Sequence, residues 1–191
     1  MEWSVLFMGP VGSGKTTAIR SISDIEVVNT DEVATDHVAK IKSHTTVSMD
    51  VGTLKLGEKD KLRLIGSPGQ DRFDFMWDIL LDQAKGVVVV VKHSAPNPLA
   101  DLDHYLKALD ARGKARQLPL VVAISHADEA PQRPLSMYAE HFRDALQYSP
   151  EETPPVVTMD ARNRRQVRTV LVAMTALLEM LERFPRLTAR A

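Results

Sequence analysis

The sequence predicts a three-layer α/β fold: helices cover both faces of a mostly parallel, six-stranded sheet that has one antiparallel edge strand. Apolar, β-rich runs alternate with segments of helical periodicity along the 191 residues, and crossover helices between parallel strands produce this order. The run at residues 86–91 is continuous and β-branched, which is typical of a strand buried on both faces. Two further β-rich runs flank residues 57–60, and they predict a hairpin with the antiparallel strand.

The other elements follow from local patterns. An apolar first strand at residues 3–8 precedes a helix expected over residues 14–22. Residues 23–45 are polar without a strong period, so we interpret them as a loop with a short helical piece. The remaining predicted elements are strands over 47–56 and 61–65, a helix over 73–82, the strand over 86–91, a helix over 99–109, a strand over 119–124, a helix over 135–148, a strand over 155–159 and a helix over 164–181.

Length and composition indicate a single domain over residues 1–191 with an ordinary core, since 44% of the residues are apolar. A net charge of −1 gives no reason to expect nucleic acid as a partner. The absence of cysteine excludes disulfides and thiolate metal sites. No apolar run approaches membrane-spanning length, so we expect no direct membrane insertion and a cytoplasmic location.

The most informative motif is G-x-x-x-x-G-K-T at residues 9–16, directly after the first strand and before the first helix. In this context the backbone amides form an anion-binding loop, and the helix N-terminus faces the same phosphates. Lys15 would reach the β- and γ-phosphates and the Thr16 hydroxyl would coordinate Mg²⁺. The alternative is a Gly-rich turn with a solvated lysine. The expected nucleotide-binding residues of this loop are Gly12, Ser13, Gly14, Lys15, Thr16 and Thr17.

Ligands of such sheets bind beyond the carboxyl ends of the strands, and the loops there contain polar residues. Residues 67–72 read Ser-Pro-Gly-Gln-Asp-Arg, and residues 94–97 read Ser-Ala-Pro-Asn. Residues 125–128 read Ser-His-Ala-Asp, and residues 160–162 read Asp-Ala-Arg. With these loops in this order, the chain resembles the Ras-like small GTPases, and more narrowly the bacterial MglA-like members. The P-G-Q and S-A-P-N segments are similar to theirs.

The resemblance implies a P-loop NTPase of the G-domain type that switches between GTP and GDP. Hydrolysis would be slow until a partner of the roadblock (MglB-like) class stimulates it, and the role would lie in polarity, motility or signalling. The Thr46 hydroxyl would coordinate Mg²⁺, with Thr45 as the alternative in register. The Gly69 N–H would contact the γ-phosphate, and Gln70 would orient the attacking water together with the catalytic Lys15.

The resemblance also implies guanine recognition. The Asp128 carboxylate would accept hydrogen bonds from the N1–H and amino group of guanine, and the Ala161 N–H, next to Asp160, would donate to O6. Only the aspartate of the family's N-K-x-D pattern is present. Ser125 would bond either the base or the phosphate-binding loop, and His126 would stack on the base.

One family carboxylate is missing, because Gly66 stands where an aspartate usually holds Mg²⁺ through water. The metal ligands implied are therefore Thr16, Thr46 and the nucleotide. Three aspartates are alternatives, each more simply read as a solvated charge: Asp31, Asp36 and Asp50. Two other functions stay open, a nucleotide-bound scaffold without turnover and a P-loop ATPase or kinase.

Overall fold

The computed structural model describes residues 2–29, 49–58, 60–69, 75–115 and 117–184. Within these ranges the strands are β1 (Glu2–Met8), β2 (Val28–Asn29), β3 (Asp50–Lys55), β4 (Lys61–Gly66), β5 (Gly86–Lys92), β6 (Leu120–Ser125) and β7 (Val156–Thr158). The helices are α1 (Lys15–Ile22), α2 (Phe75–Gln83), α3 (Pro98–Asp110), α4 (Ser136–Glu140) and α5 (Arg164–Arg183). A 3₁₀ turn over Ala127–Glu129 follows β6.

The predicted fold class is confirmed. In the described part of the chain, the strands form one sheet in the order β2-β3-β4-β1-β5-β6-β7. β1 pairs in parallel with both β4 and β5, and β5, β6 and β7 continue the parallel series. β3 is the antiparallel strand, joined to β4 by the predicted hairpin. The two-residue β2 was not predicted, and it extends the sheet beyond β3 by one short strand.

The core lies on both faces of β5, because its alternating valines point to opposite sides of the sheet. Val89 and Val91 pack in the cluster that contains α2 and α3, whereas Val88 and Val90 pack in the cluster that contains α1 and α5. All four side chains are fully buried. The helices therefore form layers above and below the sheet, and the carboxyl ends of β1, β4, β5 and β6 meet at one edge.

Two predicted boundaries are corrected. The helix expected over residues 135–148 is α-helical only through Glu140 and continues as a π turn over His141–Ala145. It ends early because Gln147 adopts a left-handed backbone with φ of 57°. The strand expected over 47–56 is described as Asp50–Lys55, and its first residues lie outside the described ranges.

None of the helices within the described ranges has the length and apolar character that crossing a membrane requires.

Candidate functional site

The phosphate-binding loop joins β1 to α1, as predicted. Lys15 is buried, and its Nζ donates to the carbonyl oxygens of Gly9 and Pro10 at 2.7 and 2.8 Å. The ammonium therefore lies inside the curve of the loop, where it can bind an anion held by the backbone amides. Gly14 has φ of 98°, and a side chain there would lie 3.1 Å from Ala161 Cβ. Glycine thus lets the loop pack against the 160–162 segment.

Burial lowers the pKa of Lys15 to about 8, and the negative charge of Asp50 opposes this shift. The amine loses hydration when it is enclosed, which disfavours its charged form. An anion bound in the loop would supply the charge compensation that burial removes. The low pKa is therefore consistent with a lysine placed for a phosphate ligand.

Asp50 is the unexpected member of the site. The Thr16 hydroxyl donates a short hydrogen bond to Asp50 Oδ2, and only 9% of Asp50 is exposed. In the β3–β4 ladder Asp50 lies directly opposite Gly66. A side chain at Gly66 would lie 3.1 Å from Ile19 Cδ1 and 3.4 Å from Asp50 Cβ, so glycine fits closely between these two side chains. β3 thereby places the Asp50 carboxylate beside the Thr16 hydroxyl.

This oxygen pair fits a magnesium ion. Mg²⁺ prefers oxygen ligands, and in nucleotide sites one or two protein groups hold it together with phosphates and water. Thr16 and Asp50 provide a hydroxyl and a carboxylate beside Lys15. No group of three or more metal-binding side chains occurs among the described residues. The pair would therefore share an ion with a phosphate ligand and not hold one alone.

Gly69 closes the mouth of the loop. A side chain at Gly69 would lie 2.8 Å from Val11 N, 3.0 Å from Pro10 C and 2.9 Å from Lys15 Nζ. Real side chains are not found at such distances from backbone atoms, so only glycine permits this approach. The 67–69 segment thus contacts the phosphate-binding loop, and the contact of the Gly69 N–H with a γ-phosphate stays a prediction.

A cavity of about 180 Å³ lies beside the N-terminus of α1. It brings together most of the residues predicted to bind the base. Its lining consists of Gly14, Thr17, His126, Asp128, Glu129, Asp160, Ala161 and Arg162. The predicted residues at positions 126, 128, 160 and 161 therefore share one cavity next to the phosphate-binding loop, although they follow two different strands.

Ser125 bonds the phosphate-binding loop, which was one of its two predicted partners. Its buried hydroxyl lies 2.7 Å from the Ser13 carbonyl oxygen and 3.2 Å from that of Val91. The His126 Nδ1 lies 2.9 Å from the same hydroxyl. His126 has a left-handed backbone with φ of 54°. We call residues 125–130 the base loop. These contacts hold its start against the phosphate-binding loop.

The carboxylates of the cavity differ in their partners. Asp160 accepts from Arg162, which holds the pKa of Asp160 below its usual range. Glu129 accepts from the Ser94 hydroxyl at 2.6 Å, which lowers the pKa of Glu129. Asp128 is exposed and accepts no hydrogen bond from the described part of the chain. Asp128 is therefore the carboxylate best placed to bind a ligand.

Two of the predicted residues, Thr46 and Gln70, lie outside the described residues, as do Thr45, Asp31 and Asp36. Their predicted roles stay predictions. Conversely, sequence reasoning did not identify Glu129 or Arg162 as lining the cavity, and it treated Asp50 as a minor alternative. Counting outward from the predicted turn at residues 57–60 would have placed Asp50 opposite Ser67, one residue beyond its observed partner Gly66.

A phosphate-binding loop between a central parallel strand and a helix, at the carboxyl edge of the sheet, defines the P-loop NTPase class of proteins. Residues 24–189 match the model of a family described as "Conserved hypothetical ATP binding protein". The chain belongs to this family. The matched segment begins after the phosphate-binding loop, so it supports the assignment independently of that motif. No curated protein matches the chain.

The family match corrects the resemblance to MglA-like and other Ras-like GTPases, which was wrong. The P-G-Q and S-A-P-N segments are short loops at the ligand edge of the sheet. Proteins that bind phosphates at that edge need glycine and small polar residues for the same physical reasons. Such segments therefore indicate the type of ligand better than they indicate the family. The roles in polarity and motility lose their basis with the resemblance.

Proposed function

We propose that this protein binds a nucleoside triphosphate together with Mg²⁺ and hydrolyses its terminal phosphoanhydride bond. The observation that supports the proposal most is the pairing of Thr16 with Asp50 beside Lys15. A buried lysine, a hydroxyl and a carboxylate meet where the loop amides would hold the phosphates. Hydrolysis needs mainly positioning and charge stabilisation, which such a set of groups supplies.

Each residue has a distinct part in this reaction. The Lys15 ammonium binds the β- and γ-phosphates and stabilises charge as the bond to the leaving group breaks. Thr16 and Asp50 would hold the metal, which would neutralise phosphate charge. The Gly69 backbone lies against the loop and would orient the γ-phosphate. Orientation of the attacking water by Gln70, and further metal ligation by Thr46, remain part of the proposal.

The family description favours ATP as the nucleotide. GTP is a second candidate, because Asp128 and Ala161 share the cavity beside the loop. Guanine presents two adjacent donors to a carboxylate, whereas adenine presents only its exocyclic amino group on that edge. A partner that accelerates turnover, such as one of the roadblock class, is also a proposal. It would appear as a low basal rate that rises when the partner is added.

Calorimetric titration of the purified protein with ATP and GTP, each with Mg²⁺ and with EDTA, tests binding. Phosphate release with each nucleotide tests hydrolysis. Lys15→Met removes the ammonium at similar side-chain length, and exposed Lys61→Met, which breaks only the surface contact with Glu2, is the matched control. We expect binding and phosphate release that Lys15→Met abolishes and Lys61→Met retains. Binding without phosphate release would favour the nucleotide-bound scaffold.

A further inference from the structure

A polar cluster of two buried residues and one half-buried residue lies beside the base loop and has no part in the reaction proposed above. We call it the clamp, and its members are His93, Arg133 and Tyr138. His93 follows β5, Arg133 follows the base loop, and Tyr138 lies on α4. The side chain of His93 is 1% exposed and that of Tyr138 is fully buried.

The clamp joins the loop after β5 to the segment after β6. Arg133 Nη1 donates to the carbonyl oxygens of His93 and Ala95, the latter at 2.8 Å. In return, His93 Nε2 lies 3.2 Å from the Arg133 carbonyl oxygen. The Tyr138 hydroxyl lies 2.9 Å from His93 Nδ1. Since a carbonyl can only accept, Nε2 carries the ring proton and Nδ1 accepts from Tyr138, so each ring nitrogen has one suitable partner.

A second contact ties the two loops together nearer the cavity. The Ser94 hydroxyl donates to Glu129, and Lys92 Nζ lies 3.8 Å from the same carboxylate. Glu129 is the residue directly after Asp128. The loop after β5 is therefore bonded at Glu129 and at Arg133, both on the C-terminal side of Asp128.

The base loop has little structure of its own. Its 3₁₀ turn is held by two backbone hydrogen bonds of 3.3 Å, from Glu129 to His126 and from Ala130 to Ala127. Hydrogen bonds of this length are weak, and Asp128 itself is exposed. The direction of its carboxylate must therefore be set from outside the loop. Ser125 holds the start of the loop through the Ser13 carbonyl, and the clamp and the Ser94–Glu129 bond hold its end.

We propose that Arg133, oriented by His93 and Tyr138, is a positioning residue that fixes Asp128 for contact with the base of a bound nucleotide. This inference rests on the proposed function, and it concerns only the base half of the site. The phosphate half has its own supports in Lys15, Thr16 and Asp50. Loss of the clamp should therefore weaken recognition of the nucleoside while sparing the phosphates.

Inorganic tripolyphosphate separates the two halves, because it has the phosphates of a nucleotide without sugar or base. Calorimetry with Mg²⁺ would measure the affinities for tripolyphosphate, ATP and GTP. The proteins compared are the wild type, Arg133→Met, Arg133→Lys and Tyr138→Phe. Arg143→Met is the matched control, since Arg143 is exposed and pairs with Asp144 on the surface. Thermal unfolding of each variant would be recorded alongside.

Arg133→Met should weaken the affinity for the preferred nucleotide by about 5- to 50-fold, the range for losing a charge-assisted hydrogen bond that acts on a neighbour. Tripolyphosphate affinity should stay within about twofold of the wild type. Arg133→Lys should restore part of the loss, and Tyr138→Phe should show a smaller one. Arg143→Met should leave the affinities for both ligands unchanged.

Three results would overturn the inference. A variant that unfolds at a lower temperature but binds nucleotides like the wild type would show that the clamp only stabilises the fold. Equal losses for nucleotide and tripolyphosphate would show that it acts on the phosphate loop as well. If the wild type bound tripolyphosphate but gained nothing from a nucleoside, the clamp inference would fail while phosphate binding stood. If it bound neither ligand, the proposed function itself would fail.

Discussion

Replacing Asp50 by asparagine should change the magnesium dependence of nucleotide binding. Asparagine has the same shape and still accepts a hydrogen bond from Thr16, so the ligand-free fold should be preserved. It lacks the negative charge that strengthens the binding of Mg²⁺ by a carboxylate. The variant therefore tests whether Asp50 acts as a metal ligand.

The expected loss of nucleotide affinity follows from the contact between Asp50 and Thr16. Asp50 is 9% exposed, and its carboxylate lies beside the Thr16 hydroxyl. Losing a charge-assisted interaction at a buried site costs about 1.5–3 kcal/mol, which is about 10- to 150-fold in affinity. In EDTA the loss should vanish, because no cation remains to bind and a carboxylate near the phosphates is repelled by them.

Calorimetry with the preferred nucleotide, in excess Mg²⁺ and in EDTA, measures both values. Asp82→Asn is the control, since Asp82 lies on α2, is 73% exposed and pairs with Lys114. Wild-type affinity for Asp50→Asn in Mg²⁺ would refute the role of Asp50 in metal binding. So would a loss of the same size in both solutions, because that would indicate a general defect of the site.

Three further changes have outcomes that the contacts determine. Gly69→Ala should slow phosphate release about tenfold or more while changing nucleotide affinity less. The alanine Cβ would lie 2.8 Å from Val11 N and force the 67–69 segment away from the loop. Single-turnover kinetics would measure the slower release. Ser125→Ala should lower the free energy of unfolding by about 1–3 kcal/mol, since the Ser13 carbonyl loses its buried donor; urea unfolding measures this. Burial raises the pKa of Tyr138 to about 12, so the folded chain holds this proton more tightly than the unfolded one. The contribution of Tyr138 to stability should be intact below pH 10 and fall by roughly 2–3 kcal/mol as the pH rises to 12, and Tyr138→Phe should remove this part of the pH dependence.

The phosphate half of the site could be predicted because its residues are contiguous. The spacing of Gly14, Lys15 and Thr16 after an apolar strand contains the whole geometry, since the strand, turn and helix fix where each group points. Lys15 lies inside the loop, where this motif placed it. Local backbone rules were sufficient for this part.

The metal and base parts could not be predicted to the same degree, because they depend on register and on contacts distant in sequence. Asp50 reaches Thr16 only because β3 pairs with β4 so that it lies opposite Gly66. Ser125 bonds Ser13 across 112 positions of the chain. His93 and Arg133 have no motif at all, and their relation appears only when the loops after β5 and β6 are seen side by side.

The same difference between the phosphate half and the base half of the site explains why the sequence indicates a nucleotide ligand more clearly than it indicates which base the nucleotide has. The phosphate loop specifies a polyphosphate through backbone amides, which are the same for every nucleotide. Side chains must distinguish the base. In this cavity Asp160 already accepts a hydrogen bond from Arg162, and Glu129 accepts one from Ser94. Asp128 is therefore the carboxylate that would distinguish guanine from adenine. A carboxylate favours guanine, because guanine presents two adjacent hydrogen-bond donors. If ATP is nevertheless the preferred nucleotide, Asp128→Ala should weaken ATP and GTP alike, whereas guanine recognition requires a selective loss of GTP.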